Sequence, residues 1–218
     1  SFSDLLIAQS YEMANEIGNF NINKRKIKVI YNPISNNFKN LPNPKQKDNY
    51  FLFVGSLTFK KNPMMLLKMY DHFKKNTNNN FNLKIVGKGD KYQEIKNFIC
   101  NNKLSKEIEI INEISQKKLQ DIYSKAYCLI ICSRYEGFPN VAIESLHCGT
   151  PILAFKGIGG INEIIYPKIN GLVVDSYTID SYFRGLKEII SIKFERNKII
   201  DSSKKFNSDN IILSLIHI

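Results

Sequence analysis

Apolar residues along this chain fall into short runs that alternate with longer segments of helical spacing. The runs YFLFVG (50–55), FNLKIVG (81–87), EIEIIN (107–112), YCLIICS (127–133), PILAF (151–155) and GLVVD (171–175) are rich in β-branched and aromatic residues and read as strands. Between them, residues 62–76, 91–102, 115–126 and 140–147 read as helices, 62–76 with the apolar spacing of a helix buried along one face. Pro63 suits the first turn of the 62–76 helix, and Ser115 is placed to cap the helix that follows it. NEII (162–165) follows a glycine-rich corner, and further helices are expected within 181–192 and 195–206. The 127–133 run is almost wholly apolar, as a central strand covered on both faces would be. This alternation predicts an α/β fold, a Rossmann-like doubly wound parallel sheet.

Ahead of that rhythm lie a short strand, DLLIAQS (4–10), a brief helix stopping at Gly18, and a β-branched run, IKVIYNP (27–33). Residues 35–49, SNNFKNLPNPKQKDN, are polar, hold two prolines and lack periodicity, so they read as a linker. The first residues carry neither an initiator Met nor the flanks of a signal peptide, which suggests a piece of a longer chain.

In a doubly wound sheet, ligands bind beyond the carboxyl ends of the strands. Three unusual stretches lie there: Gly55-Ser56-Leu57, Gly87-Lys88-Gly89, and Ser133 through Asn140. The last belongs to SRYEGFPNVAIESLHCGTP, which sets Glu136 and Glu144 on either side of a Gly137-Phe138-Pro139 turn. Backbone N–H groups opening a helix at Asn140 and Val141 would favour an anion, phosphate above all. Carboxylates cannot hold phosphate, but they accept hydrogen bonds from vicinal sugar hydroxyls, as an acid does for ribose in dinucleotide folds. The spacing therefore suits a nucleotide sugar, with diphosphate at the helix start and a glutamate at each end. It suits equally a helix-start acid at Glu144 and a solvated loop acid at Glu136. Lys60 and Lys61, at the entry to the 62–76 helix, are candidates to offset a diphosphate, or ordinary surface lysines. Gly157, Gly159 and Gly160, followed by Glu163, form a second flexible corner.

Composition adds less. The net charge of +11 comes almost entirely from lysine, alongside abundant Asn and Ile, so much of it reflects general bias. It would attract anionic lipid or phosphorylated ligands. No zinc finger, aromatic RNA-binding pair or GXXG loop is present, so nucleic acid is not expected as a partner. The four cysteines show no CxxC or disulfide spacing, which favours a reducing, cytoplasmic setting. No apolar run approaches transmembrane length. The sequence lacks a Walker loop, a DxD pair and a GxSxG elbow, and the three histidines form no metal cluster. An epimerase-like nicotinamide enzyme is disfavoured, because VGSLTFKKN supplies no GxxGxxG.

Five stretches in order, FVGSLTFKKNP (53–63), LKIVGKGD (83–90), Glu136-GFPNVAI-Glu144, GGINEII (159–165) and NGLVV (170–174), resemble the family 4 retaining glycosyltransferases, chiefly the nucleotide-sugar-binding half of their two-domain GT-B arrangement. The resemblance runs from about Ser3 to Phe206. It implies that residues 1–34 are a remnant of an N-terminal acceptor-binding domain, 35–49 an interdomain linker and 50–218 the donor-binding domain. It implies that Glu144 binds the nucleotide ribose and that Glu136 faces the donor sugar. The Gly137, Phe138, Pro139, Asn140 and Val141 backbone would hold diphosphate or sugar, beside Gly55 and Ser56. Lys61 falls on the family's phosphate-binding lysine, making Glu136 and Lys61 the expected catalytic pair. Ser56 replaces the family's arginine, and a hydroxyl offers neither its charge nor its fork of donors. The implied donor is a UDP-sugar or GDP-sugar, with no metal or other cofactor. The acceptor is a lipid-linked or oligosaccharide glycan at the inner face of a bacterial plasma membrane, with basic residues such as those of KQK (45–47), Lys74 and Lys75 toward anionic lipid. A strand at 4–10 would lack sheet neighbours, and the fragment alone would be a poor catalyst. The competing reading is a non-catalytic nucleotide-sugar-binding module.

Overall fold

The computed structural model describes residues 5–20, 22–34, 38, 44 and 46–216. At the start, β1 (Leu6–Ala8) and β2 (Ile27–Val29) form a parallel pair joined through α1 (Tyr11–Gly18). The expected strand at 4–10 is thus shorter and does have a neighbour. The strand gives way to α1 at Ser10, still extended, whose Oγ caps the helix by accepting from the Met13 N–H at 3.0 Å.

The main body alternates strand and helix: β3 (Tyr50–Val54), α2 (Pro63–Asn76), β4 (Asn82–Val86), α3 (Tyr92–Asn101), β5 (Ile108–Ile111), α4 (Gln116–Lys125) and β6 (Cys128–Ile131). There follow α5 (Asn140–His147), β7 (Ile152–Phe155), α6 (Ile161–Ile164), β8 (Gly171–Val174), α7 (Ile179–Ser191), α8 (Arg196–Ser203) and α9 (Ser208–Ile216). All six strands from β3 onward are parallel, in the order β5-β4-β3-β6-β7-β8. The direction of winding reverses between β3 and β6, and that switch point opens a crevice at the carboxyl ends of the strands.

Side chains alternate across the sheet with the period of two that a strand imposes. Phe51, Phe53, Leu83, Ile85 and Leu153 join the core beneath α2, α3 and α7. Tyr50, Leu52, Leu129, Ile131 and Ile152 join the one beneath α4, α5, α6 and α8. Helices therefore cover both faces. In α2, Leu66, Leu67, Tyr70 and Phe73 make the buried stripe, and Pro63 occupies the first turn as expected. Ser115 does stand at the N-cap of α4, but its side chain makes no capping bond. The helix α9 was not expected from the sequence. Most of the 35–49 stretch lies outside the described residues. Within it Phe38 is buried, and Lys47 turns inward to donate to the Ser124 carbonyl at 2.7 Å and Thr150 Oγ1 at 2.6 Å. Lys47 therefore contributes nothing to an exposed basic patch.

Candidate active site at the switch point

The loops leaving β3 and β4 are locked together by backbone bonds. Gly55 N–H donates to the Val86 carbonyl at 3.0 Å, Leu57 N–H to Lys88 at 2.9 Å, and Lys91 N–H to Leu57 at 2.9 Å. The approach is so close that a Cβ on Gly87, whose φ is +150°, would fall 1.9 Å from the Gly55 carbonyl oxygen. This explains the Gly-Lys-Gly turn as packing. Ser56 is exposed, with its hydroxyl 3.3 Å from Thr58 Oγ1.

From the end of the β3 loop, Lys61 reaches across to the β6 loop and forms an ion pair with Glu136. The same carboxylate accepts from Ser133 Oγ at 2.6 Å and has Lys60 Nζ at 3.8 Å, and its side chain is only 6% exposed. The Arg134 N–H donates to the Lys60 carbonyl at 2.8 Å, tying the two loops along their backbones. Outside this pair, Lys60 lies over the Tyr135 ring and Arg134 over the Phe59 ring. The sequence points to both Lys61 and Glu136 and to the loop that Ser133 opens; the direct ion pair and the Ser133 hydrogen bond to Glu136 are seen only in the structure.

Glu136 and Gly137 border a hollow of about 320 Å³, closed from the other side by Ser10, Glu12, Met13 and Glu16 of the α1 region and by Gly157 and Gly159. A Cβ on Gly159 would sit 2.3 Å from the Glu136 carbonyl oxygen, so the glycine-rich corner rests directly on the β6 loop. The corner is fastened to α1 by an exchange of acids. Glu12 accepts from the Gly160 N–H at 2.8 Å, while Glu163 accepts from the N–H groups of Tyr11 and Glu12, each at 3.1 Å, and from Tyr31 Oη at 3.0 Å. Glu163 is thus an anion at the start of α1, where the helix dipole favours one.

Glu144 lies in a second, smaller hollow of about 140 Å³ with Pro33, Ile34, Asn140 and Ile143. Burial pushes its carboxyl above the usual carboxylate range, and the Tyr123 hydroxyl, donating at 2.9 Å, opposes that shift. The sequence offered no sign that Tyr123, twenty-one residues earlier, would be its partner. The two glutamates therefore occupy separate hollows, with Gly137 bordering one and Asn140 the other. At the start of α5, Pro139 makes no side-chain cap, Asn140 is exposed, and Asn140 Oδ1 accepts from Asn32 Nδ2 at 2.9 Å. Phe138 buries its ring against Tyr31 and Phe206, so only its backbone can meet a ligand; Val141 is half-buried. His147 is packed: its Nε2 is 3.0 Å from the Phe38 carbonyl, and burial lowers its pKa. Among the described residues, no group of His, Cys, Asp and Glu is arranged to hold a metal ion.

The chemistry on offer is thus a lysine paired to a carboxylate, a helix start with no side-chain cap, and a buried acid able to accept from hydroxyls. Residues 35–206 match the family of group 1 glycosyl transferases. The chain is 32% identical to the O-antigen chain mannosyltransferase RfbU of Salmonella typhimurium, over 94% of this chain and 56% of that protein. It is 30% identical to an uncharacterised glycosyltransferase of Methanocaldococcus jannaschii, over 94% of this chain and 55% of that one. The chain thus spans about half the length of the curated relatives it matches. The HepE protein of Anabaena, solved in complex with UDP, shares the fold with a TM-score of 0.86 at 17% identity, covering 99% of this chain and 63% of that one.

Proposed function

Because the chain belongs to the group 1 glycosyl transferases, we propose that it carries the donor site of an enzyme moving a hexosyl or N-acetylhexosaminyl unit from a UDP- or GDP-sugar. The recipient is a growing bacterial surface glycan, lipid-linked or oligosaccharide, and transfer retains the anomeric configuration. The observation that carries this reading is the Lys61–Glu136 ion pair at the switch point, one loop away from the uncapped start of α5. In it, the Asn140 and Val141 amides, with the Gly137, Phe138 and Pro139 backbone and the Gly55–Ser56 turn, surround the diphosphate. Lys61 neutralises charge that grows on the leaving diphosphate. Glu136 holds Lys61 in place and turns its remaining lone pairs to the donor sugar. Glu144 accepts from the ribose hydroxyls. The lipid-linked acceptor and the lysine-rich charge fit attachment to the anionic inner leaflet of a plasma membrane.

The relatives' names support a surface-glycan role, since RfbU is named for O-antigen chain synthesis. A second reading, binding without turnover, draws on Ser56, a neutral hydroxyl 3.3 Å from Thr58 Oγ1 where the family's guanidinium would bring charge to the phosphates. Titration with UDP, GDP and their sugar conjugates tests the site. Glu144→Ala should weaken every nucleotide by roughly 10- to 100-fold, the loss of a hydrogen bond to a charged group, whereas Glu136→Ala should weaken mainly the sugar conjugates. Equal affinities in all three proteins would remove the donor-site assignment. Measurable transfer from the bound conjugate separates enzyme from binding module.

A further inference from the structure

Phe59-Lys60 on the β3 loop and Arg134-Tyr135 on the β6 loop face each other residue by residue. Arg134 lies over the Phe59 ring, 4.1 Å from its centroid, and Lys60 Nζ lies 5.2 Å from the centroid of Tyr135. The Arg134 N–H, donating to the Lys60 carbonyl at 2.8 Å, keeps the two loops side by side. Each cation is thereby held on a ring rather than left to sweep through solvent. The rings themselves stay open, Phe59 at 61% and Tyr135 at 58%. Exposed apolar side chains need no explanation when they stand singly; two that share a rim with two ordered cations do.

The charge on this rim is not balanced locally. Lys60 Nζ is 3.8 Å from Glu136, but that carboxylate is already paired with Lys61 and bonded to Ser133. Arg134 is exposed and forms no ion pair among the described residues; the Tyr177 hydroxyl is the titratable group that feels its charge. Lys60, Lys61 and Arg134 thus stand against the one acid, Glu136. A guanidinium offers a fork of N–H donors that matches phosphate oxygens, and the ammonium beside it adds a point charge. Phosphate for the cations and an apolar chain for the rings is the chemistry of a phosphate-linked lipid.

We infer that this rim receives the lipid end of the acceptor, with its diphosphate between Arg134 and Lys60 and its chain over Phe59 and Tyr135. The place of this contact in the reaction rests on the donor-site reading above. Because Lys60 also reaches Glu136, the lipid phosphate sits beside the reaction centre, and the recipient is a sugar carried close to its lipid rather than a free oligosaccharide.

Calorimetric titration with farnesyl diphosphate tests this on protein saturated with UDP, which fills the donor diphosphate seat. Farnesol, inorganic diphosphate and dihexanoyl phosphatidylglycerol serve as comparisons. Farnesyl diphosphate should bind at least about tenfold tighter than each of them. Arg134→Gln should lose about tenfold and Phe59→Ala a few-fold of that affinity, with UDP affinity unchanged; both positions are exposed, so neither substitution should disturb folding. Binding no tighter than that of farnesol or inorganic diphosphate, or undiminished in both variants, overturns the inference. Phosphatidylglycerol binding as tightly overturns it in favour of a bilayer headgroup. A protein that binds no UDP loses the donor reading, while farnesyl diphosphate binding that depends on Arg134 and Phe59 would still assign the rim to a lipid phosphate.

Discussion

Glu136 shows how much of a site can rest on one side chain. Lys61, Ser133 and Lys60 all converge on its carboxylate, which leaves it as both an anchor for the lysine and a wall of the larger hollow. Ser133→Ala should loosen that anchor, weakening nucleotide-sugar affinity by a few-fold, about 1 kcal/mol. An unchanged affinity would mean that Ser133 only fills space. Glu144 makes a pH prediction. Its carboxyl is raised by burial, and in the proposed donor site ribose hydroxyls would bind its ionised form, so UDP affinity should fall as pH drops through a range above the ordinary carboxylate one. The sign for stability is opposite: without ligand, this group's contribution is full at low pH and is lost as pH rises through its raised pKa. Glu144→Gln should flatten the affinity profile; a profile that keeps its acid limb would assign the titration elsewhere. Glu136 and Glu144 could be found in the sequence because they flank the Gly137-Phe138-Pro139 turn after an apolar run, and Lys61 because it stands at the entry to a helix after Gly55-Ser56-Leu57. Tyr123 could not, and Ser133, though inside the 133–140 stretch, gave no sign of its bond to Glu136, since both contributions depend on which side chains the fold brings opposite them.

At the scale of elements, periodicity was a sound guide wherever burial imposes it. The strands β3 to β8 and helices α2 to α5 fall within a residue or two of their expected bounds, because each must bury one face or both. What escaped was set by partners distant in the chain. The seating of α1 beside the β1–β2 pair rests on two acids about 150 residues apart, Glu163 accepting from the Tyr11 and Glu12 N–H groups and Glu12 accepting from the Gly160 N–H. A glutamate after a glycine-rich corner gives no hint of such a partner. Glu163→Ala removes three accepted bonds at once and should cost about 1–3 kcal/mol, with faster amide exchange at residues 11 and 12 and little change in β3 to β8. Unaltered exchange at those amides would show that packing of Tyr31 on Phe138 and Phe206 seats α1 by itself.

On the scale of the whole molecule, one parallel sheet presents two different ends. Its carboxyl end gathers Lys61, Glu136 and the start of α5 at the point where the strand order reverses; its amino end seats Lys47 between Ser124 and Thr150. Strand alternation made the first end legible, since ligand sites in such sheets follow from topology. The second was hidden, because Lys47 belongs to a polar, proline-bearing stretch that gives no sign of turning inward. Amide hydrogen exchange with and without saturating UDP tests the central claim most directly. The account predicts slowed exchange at residues 137–142, around the start of α5, and around Lys61, with the sheet's amino end unchanged. Protection confined to other segments, or none under saturation, would contradict a nucleotide seat at the switch point.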